Sequence, residues 1–353
     1  MPHTMSAVLL LGHGGLDQLE YRDDVPLPVP AVGEVLIKVT AAAVNNTDIN
    51  TRVGWYSKSV TGATAADTDD ARPQDAAWGG GAVHFPRIQG ADACGRIAAV
   101  GSGVDPARIG ERVLVDPLLH STAGGGQPGY FGSDRDGAFA EFATAPAANA
   151  WRVLSPLADV ELASFPCSYM AAENMLERAG VSHGESVLVT GASGGVGSAA
   201  VQLARRRGAR VIALASPEKA AAVSALDATR VLARSADLVS ELGRESIDAV
   251  IDVVGGRQFP QLLEILRRRG RYAAAGAIAG PMVELDLRTL YLKDLRVLGC
   301  TAYEPQLFRA LVGYIERGEI RPLVSATYPL RAIAAAQSEF LRKTHIGKIV
   351  LTP

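Results

Sequence analysis

Residues 186–197 read Ser-Val-Leu-Val-Thr-Gly-Ala-Ser-Gly-Gly-Val-Gly, and an amphipathic segment follows at residues 198–207. The apolar run predicts a buried strand, the glycines predict a tight turn, and the segment after them predicts a helix. Because glycine has no Cβ, the N–H groups of such a turn and the N-terminus of the helix can approach a pyrophosphate group. The AxGxxG spacing therefore predicts a dinucleotide site. The residues expected to contact the cofactor in this turn are Ser193, Gly194, Gly195 and Val196.

Strands and helices alternate through the part of the chain around this turn. Apolar runs recur at residues 210–215, 248–252 and 270–275, with a helical segment at residues 217–226. Strands that are apolar throughout and alternate with helices are typical of a parallel sheet covered on both faces. The prediction is a doubly wound α/β domain of the Rossmann type over residues 154–303.

The end of the second strand selects between the two nicotinamide cofactors. A carboxylate at that point binds the ribose 2′-hydroxyl of NADH and repels the 2′-phosphate of NADPH. The chain has a neutral Ser216 beside Lys219, with Arg234 on the next strand, and we therefore expect NADPH. The alternative is that Glu218 turns inward and binds NADH. Small residues that end the later strands are expected near the nicotinamide, namely Val254, Gly276, Ala277 and Ile278.

The N-terminal part of the chain has a different pattern. Short apolar strands lie between Gly and Pro turns at residues 6–54 and 95–115, which predicts a small β-rich domain. Residues 57–84 interrupt this pattern and are rich in Ala, Gly, Thr and Asp. A long segment of this kind is either a surface insertion or a lid that faces the substrate.

The composition excludes several classes of protein. The 353 residues suffice for two domains, and 35 basic against 37 acidic side chains predict no nucleic-acid or anionic-membrane partner. No stretch reaches the roughly 18 apolar residues of a membrane span. Cys94, Cys167 and Cys300 are scattered, so they predict no disulfide framework and indicate a cytoplasmic location.

In combination, these motifs resemble those of the medium-chain dehydrogenase/reductase superfamily over nearly the whole chain. The matching stretches are residues 33–39, 44–48, 88–95, 192–197 and 345–351. The resemblance implies a GroES-like catalytic domain made of residues 1–153 and 304–353. The Rossmann domain, residues 154–303, would then be inserted between these two parts.

Departures from the zinc alcohol dehydrogenases indicate a branch of the superfamily. Asn45 and Ala91 stand where those enzymes carry zinc ligands, and Cys167 alone matches a ligand position. A catalytic zinc normally has three protein ligands. The chain therefore resembles the zinc-free quinone oxidoreductases and enoyl reductases, whose Gly-x-Asp-x-x-Gly motif matches residues 90–95. We predict no metal site.

An acceptor that is reduced without a metal has to be electrophilic itself. We expect hydride transfer from NADPH to a quinone or an α,β-unsaturated carbonyl compound. The Asn45 amide and the Tyr56 hydroxyl are expected to donate hydrogen bonds to the developing oxyanion. For both residues a purely structural role stays open. The resemblance also implies that Asp92 pairs with Lys348 and ties the last strand to the catalytic domain.

Two other functions stay open. One is an alcohol dehydrogenase or carbonyl reductase with a rebuilt metal site made of Cys167, Asp92 and a histidine such as His84. The other is an NADPH-binding sensor without turnover. Residues 295–300 are expected to form an apolar strand at the position where subunits of the family pair. An unpaired apolar edge strand tends to pair with another chain or to aggregate. We therefore expect a homodimer.

Overall fold

The computed structural model describes residues 2–64, 73–120 and 128–353. The described residues of Met1–Val60, Thr68–Cys167 and Phe308–Pro353 form one compact unit, and those of Thr61–Asp67 and Ser168–Leu307 form a second unit. The first unit thus combines both ends of the chain. The domain limits expected from the sequence, at 153/154 and 303/304, stay a prediction. Of the segment at residues 57–84, residues 65–72 lie outside the described residues.

The described residues form short strands along the whole chain, and most of the helices lie in its second half. In chain order the strands are β1 (Thr4–Leu10), β2 (Leu19–Pro26), β3 (Glu34–Ala43), β4 (Arg87–Ile88), β5 (Cys94–Val100), β6 (Arg112–Val115), β7 (Leu118–Leu119), β8 (Gly129–Tyr130), β9 (Phe142–Pro146), β10 (Ala150–Arg152), β11 (Ser186–Val189), β12 (Arg210–Ala215), β13 (Arg230–Ala233), β14 (Ile247–Asp252), β15 (Leu266–Ala274), β16 (Arg296–Gly299), β17 (Val324–Pro329) and β18 (Lys348–Thr352). The helices are α1 (Asn46–Val53), α2 (Asp159–Leu162), α3 (Pro166–Arg178), α4 (Gly195–Arg206), α5 (Ala220–Ser224), α6 (Leu238–Leu242), α7 (Phe259–Ile265), α8 (Leu287–Leu292), α9 (Pro305–Glu316) and α10 (Ile333–Arg342).

The second unit is built on a parallel sheet with the strand order β13-β12-β11-β14-β15-β16. Each of the four residues of β11 is buried, as expected for a strand covered on both faces. The order reverses between β11 and β14, and ligands of open α/β sheets bind at the carboxyl ends of the strands beside such a reversal. The predicted doubly wound α/β fold is confirmed.

The first unit is rich in β-structure. Its larger sheet has the order β10-β6-β5-β3-β18-β17, and β9 also pairs with β3. The last strand of the chain, β18, runs antiparallel to β3 and places Val350 opposite Ala43. Since Ala43 ends β3, this pairing brings the start of β18 close to the beginning of α1. Within the described residues, no helix is long and apolar enough to cross a membrane.

Candidate functional site

A buried polar network lies at the N-terminus of α1. The Lys348 ammonium donates to Asn45 Oδ1 at 2.5 Å and to Asp92 Oδ2 at 2.9 Å. The predicted ion pair between Asp92 and Lys348 is thus confirmed. The Asn45 amide donates to Asp92 Oδ2 at 2.8 Å and to the Ala43 carbonyl at 3.2 Å. Both amide hydrogens of Asn45 therefore have acceptors, and donation to a substrate would require one of these bonds to break.

Asp48 attaches this network to the loop that carries Asp92. The Asp48 carboxylate accepts the Asn45 N–H at 2.7 Å, which is a capping box at the start of α1, and the Gly90 N–H at 3.2 Å. Burial raises the pKa of Asp48 to about 7. Gly90 has a φ of 104°, and a Cβ there would lie 2.7 Å from the Phe139 ring. The loop can approach α1 this closely because the position is glycine.

The Cys167 side chain is held next to Asp92. The Cys167 N–H donates to Asp92 Oδ1 at 2.6 Å, and the Tyr130 hydroxyl donates to the Cys167 sulfur at 3.1 Å. Burial raises the pKa of the Cys167 thiol to about 12. Only the thiolate is a good nucleophile, so the protonated Cys167 thiol is a poor one near neutral pH.

The alternative of a metal site made of Cys167, Asp92 and a histidine such as His84 stays open. In the described part of the chain, no group of three or more His, Cys, Asp or Glu side chains is placed to hold a metal ion. His84 is exposed, and the Asp92 oxygens accept hydrogen bonds from Lys348, Asn45 and the Cys167 N–H.

The second predicted donor, Tyr56, lies just beyond the C-terminus of α1 and reaches back along it. Its hydroxyl donates to Thr47 Oγ1 at 3.2 Å and is also hydrogen-bonded to Asn50. Burial raises the pKa of Tyr56 to about 12, so the hydroxyl keeps its proton and can donate. The structure thus brings the Tyr56 hydroxyl to the end of α1 that Asn45 caps. The sequence analysis did not predict a role for Thr47, although Thr47 lies in residues 44–48, which match the superfamily.

The glycine-rich turn between β11 and α4 fits a pyrophosphate. Gly191 has a φ of 57°, and a Cβ on Gly197 would lie 2.1 Å from the Gly191 carbonyl oxygen. The helix can therefore start this close to the strand because both positions are glycine. Gly194 is the N-cap and supplies no side-chain acceptor, so the N–H groups of the first turn of α4 can bind an anion.

The residues expected around the adenosine ribose gather where β12 and β13 end. The Arg234 N–H donates to the Ala215 carbonyl at 3.0 Å, which places Arg234 beside Ser216. Burial and the nearby Arg234 lower the pKa of Lys219. The Glu218 carboxylate accepts a hydrogen bond from the Ser216 hydroxyl, which lowers the pKa of Glu218. Two cations and a neutral hydroxyl therefore lie together, with one exposed carboxylate nearby.

The turns after β14 and β15 lie side by side at the same end of the sheet. The Ala279 N–H donates to the Val254 carbonyl at 2.9 Å, and the Ile278 N–H lies 3.5 Å from the Val253 carbonyl. A Cβ on Gly191 would lie 3.2 Å from Val254 Cγ2. The structure thus brings Val254 and the residues after β15 next to the pyrophosphate turn; the latter are Gly276, Ala277 and Ile278.

Sequence reasoning missed Asp252, a fully buried carboxylate that connects three neighbouring strands. Asp252 accepts hydrogen bonds from the Thr190 hydroxyl and the Tyr272 hydroxyl, each at 2.5 Å. It also accepts the N–H groups of Val254 at 2.8 Å and Gly255 at 3.2 Å. Its position at the end of an apolar strand was the available signal.

The predicted cofactor residues gather in the second unit, and the two predicted catalytic residues lie in the first.

Comparison with known proteins decides the family. The chain matches the model of the alcohol dehydrogenase GroES-like domain over residues 31–155 and that of the zinc-binding dehydrogenases over residues 195–317. It is 31% identical to an acryloyl-coenzyme A reductase of Metallosphaera sedula, over 99% of this chain and 100% of that protein. The chain belongs to the medium-chain dehydrogenase/reductase superfamily. The predicted resemblance, including the GroES-like domain, is confirmed.

Two further proteins are similar to this superfamily member over nearly its whole length. A quinone oxidoreductase of Lama guanicoe is 29% identical over 98% of this chain and 97% of that protein. The solved structure of a candidate alcohol dehydrogenase from Sinorhizobium meliloti 1021 is 50% identical and has a TM-score of 0.90, covering 100% of this chain and 98% of that one. The protein is an oxidoreductase of this superfamily, whose members bind nicotinamide cofactors.

Proposed function

We propose that the protein transfers a hydride from NADPH to a quinone or an α,β-unsaturated carbonyl compound without a metal ion. The observation that carries the proposal is the contact of Asn45, Asp92 and Lys348 at the place where zinc enzymes of the superfamily hold their metal. The Lys348 ammonium pairs with the Asp92 carboxylate, and the Asn45 amide donates to the same carboxylate. The relatives named as quinone oxidoreductase and acryloyl-coenzyme A reductase support an acceptor of this class.

The Tyr56 hydroxyl is the donor that we assign to the acceptor oxygen. Bound NADPH would supply a hydride to a carbon of the conjugated acceptor, which would leave negative charge on the acceptor oxygen until a proton from water completes the reduction. A hydrogen bond from Tyr56 stabilises that charge, and its pKa of about 12 keeps the proton available. In this structure the Tyr56 proton is donated to Thr47, so that bond has to break when the acceptor binds, and the Thr47 hydroxyl can then donate to the Tyr56 oxygen. Asn45 acts on the substrate less directly, because its amide hydrogens are bonded to Asp92 and Ala43.

The choice of NADPH rests on the cluster at the ends of β12 and β13. Lys219 and Arg234 supply positive charge beside the neutral Ser216, which suits a 2′-phosphate. Glu218 is bonded to Ser216 in this structure and interacts with both cations. An approaching 2′-phosphate would have to displace that carboxylate, whereas the hydroxyl of NADH would gain it as an acceptor. We assign NADPH because the two positive charges of Lys219 and Arg234 outnumber the single negative charge of Glu218.

A panel assay tests the proposal. NADPH oxidation is measured against quinones, enones, an acryloyl thioester and aldehydes, and the metal content of the purified protein is determined in parallel. We expect turnover with the conjugated acceptors and no stoichiometric zinc. In Tyr56→Phe, turnover should fall about a hundredfold with NADPH affinity retained. Tyr21→Phe, at a tyrosine that is 42% exposed in the same unit, is the control and should change neither.

Two outcomes would contradict the proposal. Stoichiometric zinc whose removal abolishes activity would favour the alcohol dehydrogenase alternative. Tight NADPH binding without oxidation by any acceptor would favour the sensor alternative.

The proposed partner is a second copy of the chain. β16 ends the strand order of its sheet among the described residues, and exposed edges of this kind pair readily. Large apolar side chains are exposed along the same region of the sequence, which is unusual for a surface that stays in water. They are Met282, Leu287, Tyr291, Leu292 and Val297.

A further inference from the structure

Two aromatic pairs of the first unit each include a tyrosine that lies near the Cys167 thiol. The Tyr130 hydroxyl donates to the sulfur at 3.1 Å, and the Tyr130 ring stacks on Trp78, with centroids 4.4 Å apart and planes at 24°. Cys167 is near enough to Tyr56 to contribute to the raised pKa of its hydroxyl. The Tyr56 ring meets Trp55 edge-on at a centroid distance of 5.8 Å. We call these five residues the aromatic cluster.

The aromatic cluster is unusual for this chain. Aromatic residues make up 6% of the sequence, which has three tryptophans, and two of the three lie in the cluster. Trp55, Tyr56, Trp78 and Cys167 are all partly exposed, while Tyr130 is buried. A cluster that served packing alone would gain most by burying its rings completely. Ring surface therefore stays accessible beside the thiol.

Trp78 is presented by an ordered turn. The Ala77 N–H donates to the Gly81 carbonyl at 2.8 Å, and the Gly80 N–H donates to the Ala77 carbonyl at 2.9 Å. The stacking partner is held as well, because the Tyr130 N–H donates to the Asp134 carboxylate at 2.7 Å. A binding surface whose backbone is already ordered loses less conformational entropy when a ligand arrives.

The chemistry of the cluster favours a flat, uncharged ligand. The raised pKa of Cys167, about 12, keeps its thiol neutral, and the phenol of Tyr56 is neutral for the same reason. Aromatic side chains bind rings in stacked or edge-on arrangements. An electron-poor quinone ring suits the electron-rich indole of Trp78. The vinyl group of a small aliphatic acceptor has no ring to stack.

We propose that Trp78, supported by Tyr130, is a specificity-determining residue that binds the ring of a planar aromatic acceptor such as a naphthoquinone. The inference rests on the proposed function and narrows its substrate class. It assigns a role to the described part of the segment at residues 57–84.

Trp78→Leu tests the proposal with two acceptors, 1,4-naphthoquinone and methyl vinyl ketone. We expect the KM for naphthoquinone to rise about tenfold and the KM for the vinyl ketone to stay within about twofold, with kcat nearly unchanged for both. Trp78→Phe keeps a ring and should restore most of the affinity. Trp151→Leu removes a tryptophan that packs against Phe308 in the same unit and is the matched control. Trp78→Gln replaces Trp78→Leu if the latter does not fold.

A binding measurement separates this inference from the proposed function. Naphthoquinone binding to the protein without cofactor is followed by tryptophan fluorescence quenching in the wild type and in Trp78→Leu. Weaker binding in the variant supports the inference even if no acceptor is turned over. Equal binding in the two proteins, or an equal rise of KM for both acceptors, would overturn it while leaving the proposed reaction intact.

Discussion

Replacement of Tyr272 by phenylalanine removes one hydroxyl from the carboxylate cluster at Asp252 and leaves the ring in place. The Tyr272 hydroxyl donates to Asp252, while the ring packs edge-on against Phe259 with centroids 5.0 Å apart. Burial and the neighbouring Asp252 raise the pKa of Tyr272, so the hydroxyl remains a donor. A hydrogen bond to a charged group contributes about 1.5–3 kcal/mol. We expect the free energy of unfolding to fall by about that amount.

Urea-induced unfolding without cofactor measures this change. Tyr169→Phe is the matched control, because Tyr169 is 1% exposed in the same unit and its hydroxyl accepts from the neutral amide of Gln202 at 2.8 Å. A hydrogen bond between neutral groups contributes about 0.5–1.5 kcal/mol, so the control should lose less stability. A cost for Tyr272→Phe no larger than that of the control would refute the view that Asp252 is a charged centre of this cluster.

The same variant separates stability from cofactor binding. Asp252 also holds the N–H groups of Val254 and Gly255, in the turn where we expect the nicotinamide. A weakened cluster should therefore reduce NADPH affinity about tenfold. Affinity for 2′-phospho-ADP-ribose, which lacks the nicotinamide, should change less than about twofold. An equal loss for both ligands would indicate a general loss of structure instead.

Four further substitutions test other parts of the molecule. Lys348→Met leaves Asp92 buried without its cation and should lower the free energy of unfolding by about 3–5 kcal/mol; full stability in a urea titration would contradict a buried ion pair. Asp48 has a pKa raised from 3.8 to about 7, so the native state holds a proton that the unfolded state loses, and stability should fall as the pH rises between these values. Asp48→Asn should flatten that slope in unfolding measurements at pH 4.5 and 7.5, and an unchanged slope would point to another group. Lys219→Ala should weaken NADPH binding about tenfold and NADH binding little, whereas equal losses would count against a 2′-phosphate pocket. Val297→Asp should convert the expected dimer to a monomer in sedimentation velocity, and a wild-type protein that is already monomeric would refute the edge pairing.

Local patterns made the dinucleotide turn predictable. The apolar strand, the glycines and the amphipathic helix are consecutive in residues 186–207, so their periodicity already specifies the backbone of this unit. The capping box of α1 is equally local, since Asn45 and Asp48 are three residues apart. The pairing of Asp92 with Lys348, in contrast, spans 256 positions and was available only through resemblance to a family.

Two features of the candidate site had no such signal. Tyr272 and Asp252 are 20 residues apart on neighbouring strands, and their contact depends on the parallel pairing of β14 with β15. Trp78 and Tyr130 meet across 52 positions of the chain, from segments without a regular hydrophobic pattern. Side chains on such segments can be placed only when the surrounding structure is known.

The sequence by itself determined the doubly wound fold, the place of the dinucleotide turn and the membership of the superfamily, because these depend on short runs of residues and their spacing. Only the tertiary structure decided that the Asn45 amide is already bonded to Asp92, 47 positions away, and that its oxygen accepts from Lys348, 303 positions away. Whether a polar group is free to act depends on which distant groups the fold brings within about 3 Å of it.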